Sequence, residues 1–492
     1  MIAETRAGKV RGLSVGRSFR FRGIPYGADT ASCRFEPPRR PEPWTGVRDA
    51  TDFGDRAPQM GPPYIRLYNS WQNPQRESED CLNLNVYTPA LRDGGRRPVM
   101  VFFHGGGFFT GGSAIRYADG TSLCQRHDVV LVTVNHRLNA YGYLGLSRLV
   151  PDLPDAGNAG TLDTILALEW VRDNIDEFGG DPGNVTIFGQ SGGGTKVTTL
   201  MAAPAASGLF HKAISQSQQS LCTLDMDQGH EHALQVLAAL GMKPSDAGDL
   251  RRIEQWRLTR ALDAAGTGYL PIVDGRTLPR HPFDPDGPPV SRDIPLLVGS
   301  TKDEATGVVG GADETLFALT WDDLPMKLEP RIQGMDPSHC IKELRRIRPT
   351  ATASQIFFDA TSEVDLRGRA FLCAERKFAQ GGAPVYRYLF TWESPVEGGR
   401  WGATHSIEHA FVFDNVAISQ SMIGSTGPHE ELVRAMSGAW AAFARTGDPG
   451  WAPFDPGQAD TMVFDEESRV VADPMRGERL LFNGYRRDFA WP

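Results

Sequence analysis

Cysteine is scarce in this chain of 492 residues. The six present (Cys33, Cys81, Cys124, Cys222, Cys340, Cys373) show no C-x-x-C and no repeated spacing. That scarcity excludes a disulfide scaffold and a zinc knuckle, and predicts a reduced, cytoplasmic setting. Positive charge is also short, with 51 Lys and Arg against 60 Asp and Glu, a formal net charge of −9. A nucleic-acid binder needs a basic face to neutralise phosphates, so that class is set aside. No apolar run approaches the roughly 20 residues of a membrane span; Val99–Phe103 and Val129–Val134 are only strand-length. The opening MIAETRAGKVRG lacks the basic-then-apolar order of a secretory leader, so none is expected. Internal repeats and low-complexity tracts are absent as well.

What remains is an ordinary globular composition, 40% hydrophobic and 23% charged, in a chain long enough to bury a large core. The expected partner is a small molecule, not nucleic acid or membrane, and the expected state is a monomer or small homo-oligomer. Strand-length apolar runs alternate with helix-period segments, the pattern of an α/β fold around a mostly parallel sheet. Leu82–Tyr87, Val99–Phe103, Val129–Val134, Val185–Phe188, Pro295–Val298 and Val385–Phe390 read as strands. Thr161–Phe178, Thr195–Ala203 and Met436–Arg445 read as helices. One domain over 1–492 is expected, with excursions around 55–80, 220–290 and 310–380 shaping an active-site gorge.

The pattern G-x-S-x-G occurs twice, around Ser14 and around Ser191, so context decides. Ser14 lies between basic residues with no apolar strand before it, and reads as a turn serine. Ser191 follows the strand Val185–Phe188 and precedes a helix, the strand-to-helix turn of a nucleophile elbow. There, flanking glycines leave room for a strained serine, and the helix aims its N-terminal N–H groups at a developing oxyanion. His104-Gly105-Gly106-Gly107-Phe108 follows another buried strand. Its bare backbone can donate N–H groups, which makes Gly106, Gly107 and Gly192 the candidate oxyanion hole. A dinucleotide loop is the rival reading, but no helix opens after these glycines.

The base should lie beyond Ser191, among His211, His230, His232, His281, His339, His405, His409 and His429. The acid should follow a strand, where Asp303 and Glu304 both stand after Pro295–Val298; spacing does not choose between them. His405-Ser406-Ile407-Glu408-His409 also spells H-x-x-E-H, a zinc-peptidase motif if it lies on a helix. Gly402 just before it and Phe411-Val412-Phe413 just after argue for a loop instead.

Several long segments carry a resemblance. Gly157–Gly193 (GNAGTLDTILALEWVRDNIDEFGGDPGNVTIFGQSGG), EDCLNLNVY at Glu79–Tyr87, FRGIPYG near the start and HSIEHAFVF near the end are together similar to type-B carboxylesterases, the group of bacterial para-nitrobenzyl esterases and animal cholinesterases. The resemblance implies an α/β-hydrolase fold and a serine carboxylic-ester hydrolase acting on small to medium esters through an acyl-enzyme. It implies Ser191 as nucleophile, Glu304 as acid and His405 as base, with no metal or organic cofactor. Amide or carbamate hydrolysis by the same triad is the alternative; a non-catalytic adhesion relative or a zinc peptidase ranks lower.

Departures from the family bear on substrate. Gln190 stands where cholinesterases carry a glutamate, and Asn83 where an aromatic or similar residue is usual. Cys81 resembles half of a loop-closing disulfide, yet no cysteine lies between Cys33 and Cys81, so the loop is expected to be unstapled and mobile. Ser217 resembles a serine behind the acid, here followed by Gln218. Trp71 lies near the choline-binding aromatic of cholinesterases, though packing is an equal reading. Where cholinesterases have acyl-pocket aromatics, Ala265-Gly266-Thr267-Gly268-Tyr269 is mostly small. Trp71, Phe108, Ala265, Thr267 and Tyr269 are therefore the candidate substrate-pocket residues.

Overall fold

Neighbouring residues along the central strands point into two different apolar cores. Val99, Val101 and Phe103 pack into one, and Met100 and Phe102 into the other; Ile187 and Phe188, Ala213 and Ile214, and Leu296 and Leu297 divide likewise. A side-chain period of two enforces this once both faces of a sheet are covered. The arrangement is that of a computed structural model describing residues 1–59, 65–266, 268–425 and 429–483.

Fourteen strands lie among the described residues. They begin with β1 (Ile2–Thr5), β2 (Gly8–Arg11), β3 (Leu13–Val15), β4 (Ser18–Pro25) and β5 (Val47–Asp49). Next come β6 (Asn83–Thr88), β7 (Arg97–Phe103), β8 (Val130–Val134), β9 (Gly180–Gln190) and β10 (Lys212–Gln216). The last are β11 (Leu296–Thr301), β12 (Val385–Phe390), β13 (Asp460–Phe464) and β14 (Arg469–Ala472). Strands β1, β2 and β5 form a small sheet; the other eleven form one sheet in the order β14-β13-β12-β11-β10-β9-β7-β8-β6-β4-β3. Neighbours from β8 to β13 run parallel, and both margins are antiparallel. This is the mostly parallel α/β sheet expected from the sequence.

Boundaries differ in instructive ways. The expected helix Thr161–Phe178 is an α-helix only over Ala159–Asn174, then tightens into a 3₁₀ turn, Ile175–Phe178, that Gly179 ends at φ 73°. The strand expected at Val185–Phe188 extends over Gly180–Gln190: Gly180 pairs with Arg97 of β7, the register then shifts, and pairing resumes from Val185 to Gly189.

The parallel strands bring their carboxyl ends to one edge, where open α/β sheets bind ligands. His104 follows β7, Ser191 follows β9, Ser217 follows β10, and Glu304 comes three residues after β11. Two further apolar clusters reach this edge. One joins Phe108 to the helices Met226–Ala239 and Gln255–Ala265; the other joins Ala305 to Leu324–Leu328, Pro337–Ile347 and Ala353–Ser362.

All six cysteines are free. The loop before Cys81 is tied by charge: Arg34 Nε donates to Glu79 Oε2 at 2.8 Å with both side chains buried, and Arg56 reaches Glu77 at 2.9 Å. A second buried pair joins the segment after β8 to the helix Ala159–Asn174. Arg137 Nη2 and Nε lie 2.6 and 2.8 Å from the Asp163 carboxylate, which also accepts the Arg137 backbone N–H at 3.0 Å. Removing one partner of a buried pair strands the other charge, at a cost of about 3–5 kcal/mol. Arg137→Met should therefore lower the unfolding free energy measured in urea by that order, with Asp163→Asn added to it recovering part of the loss; a single variant within about 0.5 kcal/mol of wild type would contradict this role.

Candidate active site

Ser191 occupies the turn between β9 and the helix Gly192–Ala202 at φ 60° and ψ −127°, a strained conformation for a residue with a Cβ. Its N–H donates to Gln216 O at 2.9 Å, and its carbonyl accepts from Thr195 N at 3.1 Å. Those bonds hold the turn to the end of β10 and to its own helix. The side chain is nearly buried, 5% exposed. Ser14, the other serine in the same pattern, sits exposed in edge strand β3, not in a turn.

The glycines after β7 pack directly on this turn. Gly106 and Gly107 have φ of 87° and 64°, values that favour glycine. A Cβ on Gly192 would lie 2.1 Å from Gly107 O, so the two backbones touch with no side chain between them. Among the described residues, the N–H groups of Gly106 and Gly107 meet no acceptor. Gly192 is the first residue of its helix, and such an N–H has no intrahelical partner. Three unsatisfied donors thus gather beside Ser191.

Glu304 and His405, 101 positions apart, are brought together by a parallel bridge between Asp303 and Thr404. It is Glu304, not Asp303, that meets the imidazole, its Oε2 against His405 Nδ1. Its Oε1 accepts from Ser217 Oγ at 2.6 Å and Thr301 N at 2.8 Å. The Asp303 carboxylate instead accepts Ala403 N at 2.9 Å. Gln190 Nε2 lies 3.2 Å from His405 Nε2, and its Oε1 accepts from Ser406 Oγ at 3.0 Å. The same amide nitrogen lies 3.4 Å from His405 Nδ1, so it faces the imidazole as a whole; a carboxylate only accepts, so the proton between Glu304 and Nδ1 sits on Nδ1 and Nε2 keeps its lone pair.

The H-x-x-E-H segment does not form one helix. Ser406 has φ 71°, and the helix begins only at His409 and ends at Val412. His409 is stacked on Tyr117 with ring centroids 4.1 Å apart. Glu408 is fully buried; its Oε1 accepts from Gln216 Nε2 at 3.4 Å, while Oε2 finds no partner among the described residues. Burial, then the Glu304 charge, push its carboxyl up to about 8.

Of the proposed pocket residues, Trp71 lies in the core, 1% exposed, with Nε1 donating to Ser419 Oγ at 2.8 Å and its ring against Tyr68 and Tyr117. Phe108 is also buried, edge-on to Tyr143. Ala265 ends the helix Gln255–Ala265. Tyr269 meets the ring of Phe109 at 5.7 Å, setting this stretch beside the glycine loop. Thr267 lies outside the described residues. Sequence reasoning missed Lys196, buried on the helix after Ser191 with its ammonium 2.8 Å from Gly107 O. A lone lysine in an otherwise uncharged helix was the available signal.

The carboxylesterase family profile matches residues 1–482. The para-nitrobenzyl esterase of Bacillus subtilis (strain 168) is 32% identical over 497 residues, covering 97% of each chain. The fumonisin B1 esterase of Sphingopyxis macrogoltabida is 32% identical over 91% of this chain and 82% of its own. Among solved structures, a carboxylesterase of Geobacillus stearothermophilus superposes with a TM-score of 0.85 at 34% identity, covering 97% of this chain and 99% of that one. The chain belongs to the carboxylesterase family, has its α/β-hydrolase fold, and is a carboxylic-ester hydrolase.

Proposed function

We propose that Ser191 is the nucleophile of this esterase, His405 its general base and Glu304 the carboxylate that orients the base, with the N–H groups of Gly106, Gly107 and Gly192 as the oxyanion hole. One observation carries the reading: a serine at φ 60° stands at the same sheet edge as the Glu304–His405 pair and the acceptor-free glycine donors. With Nδ1 committed to Glu304, Nε2 takes the proton of Ser191 Oγ as Oγ attacks the ester carbonyl carbon. The carbonyl π electrons move to oxygen, where the three N–H groups receive them. Collapse expels the alcohol, which takes the proton from Nε2 and leaves an acyl-serine. Water then repeats the sequence, giving the acid and free Ser191. Glu304, held by Ser217 and Thr301, keeps the imidazole tautomer and stabilises the imidazolium.

On the acyl side, the small residues of 265–269 support a roomy pocket that accepts bulky acyl groups. The clusters over the sheet edge would form the gorge leading to it. Six unpaired cysteines and the bacterial relatives support a bacterial cytoplasmic setting.

Initial rates on short and medium nitrophenyl esters test the roles. Ser191→Ala should lose on the order of 10⁴- to 10⁶-fold in kcat, with the wild type unaffected by chelator; activity that survives Ser191→Ala but dies with chelator would overturn the triad. Ala265→Phe should lower kcat/KM for bulky acyl esters relative to acetyl esters by roughly 10-fold, and an unchanged ratio would dismiss the roomy-pocket reading.

Glu408 adds a pH dependence of stability. Its folded-state carboxyl titrates near 8 against an ordinary 4.5, so between those values the folded chain holds a proton that the unfolded chain releases. That contribution is fully present below about pH 4.5 and is lost as pH rises through about 8. Glu408→Gln should gain urea stability over wild type progressively across that window. A difference between the two that does not vary with pH would refute it.

A further inference from the structure

Lys196 stands five residues after Ser191 on the same helix and is 3% exposed. Its Nζ donates to Gly107 O at 2.8 Å and His104 O at 3.2 Å, and lies 4.6 Å from the centre of the Phe108 ring. Those two carbonyls bracket the peptide units that carry the Gly106 and Gly107 N–H groups. One ammonium therefore grips both ends of the donor segment, from a helix whose N-terminus carries the nucleophile.

No carboxylate pairs with this ammonium among the described residues. A buried charge held only by carbonyl dipoles and an aromatic face is expensive to keep. Burial pulls it down from the usual lysine range to about 7. The titratable groups facing it are His104, on the loop after β7, and His136, after β8; burial and then the Lys196 charge hold both neutral. Arg56 adds further positive potential at His104. A lysine kept where an apolar residue would cost less points to a task for its charge.

We propose that Lys196 is a positioning residue for ester hydrolysis, whose ammonium fixes the Gly106 and Gly107 donors against Ser191 and places positive charge behind the oxyanion they receive. The proposal rests on the oxyanion-hole reading above. Because negative charge on the carbonyl oxygen grows only on the way to the tetrahedral intermediate, Lys196 acts on kcat more than on KM. Its two contributions separate with pH. As pH rises above neutral the amine loses its charge but still offers N–H groups to the two carbonyls, so the clamp persists while the field is lost.

The test compares wild type, Lys196→Met and Lys196→Arg with Ser191→Ala as control. For each, kcat and KM for nitrophenyl acetate are measured from pH 6 to 10, corrected for spontaneous hydrolysis. Inhibition by a trifluoromethyl ketone, which forms a serine hemiketal with an oxyanion, and thermal melts accompany the kinetics. Lys196→Met should lower kcat roughly 10- to 100-fold with KM changing less than about 3-fold, and should weaken the ketone by a similar factor. The wild type should show a falling alkaline limb in kcat that both Lys196 variants lack. A folded Lys196→Met within about 2-fold of wild type in kcat overturns the proposal. So does an alkaline limb that persists in that variant, or a loss of activity matched by a loss of folded protein. If the arginine side chain does not fit, the methionine variant and the ketone decide alone. Activity in Ser191→Ala would fail the oxyanion-hole reading itself; a dead Ser191→Ala beside an unimpaired Lys196→Met would fail only this inference.

Discussion

The site depends on two stretches of backbone lying against each other with no side chain between them. A Cβ on Gly192 would fall 2.1 Å from Gly107 O, and one on Gly193 would fall 2.0 Å from Phe103 O. Contacts that short are forbidden, and both are with backbone, so neither neighbour can move aside cheaply. Close approach is what lets the helix after β9 begin directly beneath the end of β7. It also forces the turn at Ser191 into positive φ, a strain of about 1–3 kcal/mol. The parallel register of β9 on β10, with Gln190 opposite Gln216, offsets that strain by supplying the acceptor for Ser191 N.

A second constraint brings the acid to the base. The Asp303–Thr404 bridge is short, yet it sets two distant loops in register. Asp303 sits in the bridge itself, and Glu304 opens the helical turn that follows it, so the two side chains leave the backbone in different directions. Asp303 therefore turns toward the loop backbone and holds Ala403, while Glu304 turns inward to His405. Adjacent carboxylates thus divide the work of fastening the loop and orienting the imidazole.

That division explains what could and could not be read from the residues. The sheet was legible because buried parallel strands are nearly unbroken apolar runs, and the elbow because glycines on both sides of a serine between strand and helix have few other uses. Asp303 and Glu304 could not be told apart by spacing, since the choice depends on which way one peptide faces; the family resemblance named Glu304 on other grounds. H-x-x-E-H looked like a metal motif only if helical, and the positive φ of Ser406 breaks the face that it would need. Trp71 was ambiguous because an aromatic for a ligand and an aromatic for a core have the same composition, and its hydrogen bond to Ser419 crosses 348 residues. Arg34–Glu79 and Arg137–Asp163 were invisible for the same reason: their partners meet only once the chain has folded.

The layout of charge follows the direction in which the reaction moves charge. Ester attack builds positive charge on His405 and negative charge on the carbonyl oxygen. The carboxylate of Glu304 lies at the imidazole end, and the Lys196 ammonium lies behind the loop at the other end. Between them the polar groups are neutral. Gln190, immediately before the nucleophile, is an amide, and Glu408, buried against the Gln216 amide, holds its proton up to about pH 8. A second ionised carboxylate in either place would favour the imidazolium, but it would also oppose the oxyanion a few ångströms away, and in a water-poor site that opposition is weakly screened. Keeping both neutral leaves a single dipole aligned with the charge separation. Its negative end is fixed by Ser217 and Thr301, and its positive end by the helix that presents the nucleophile.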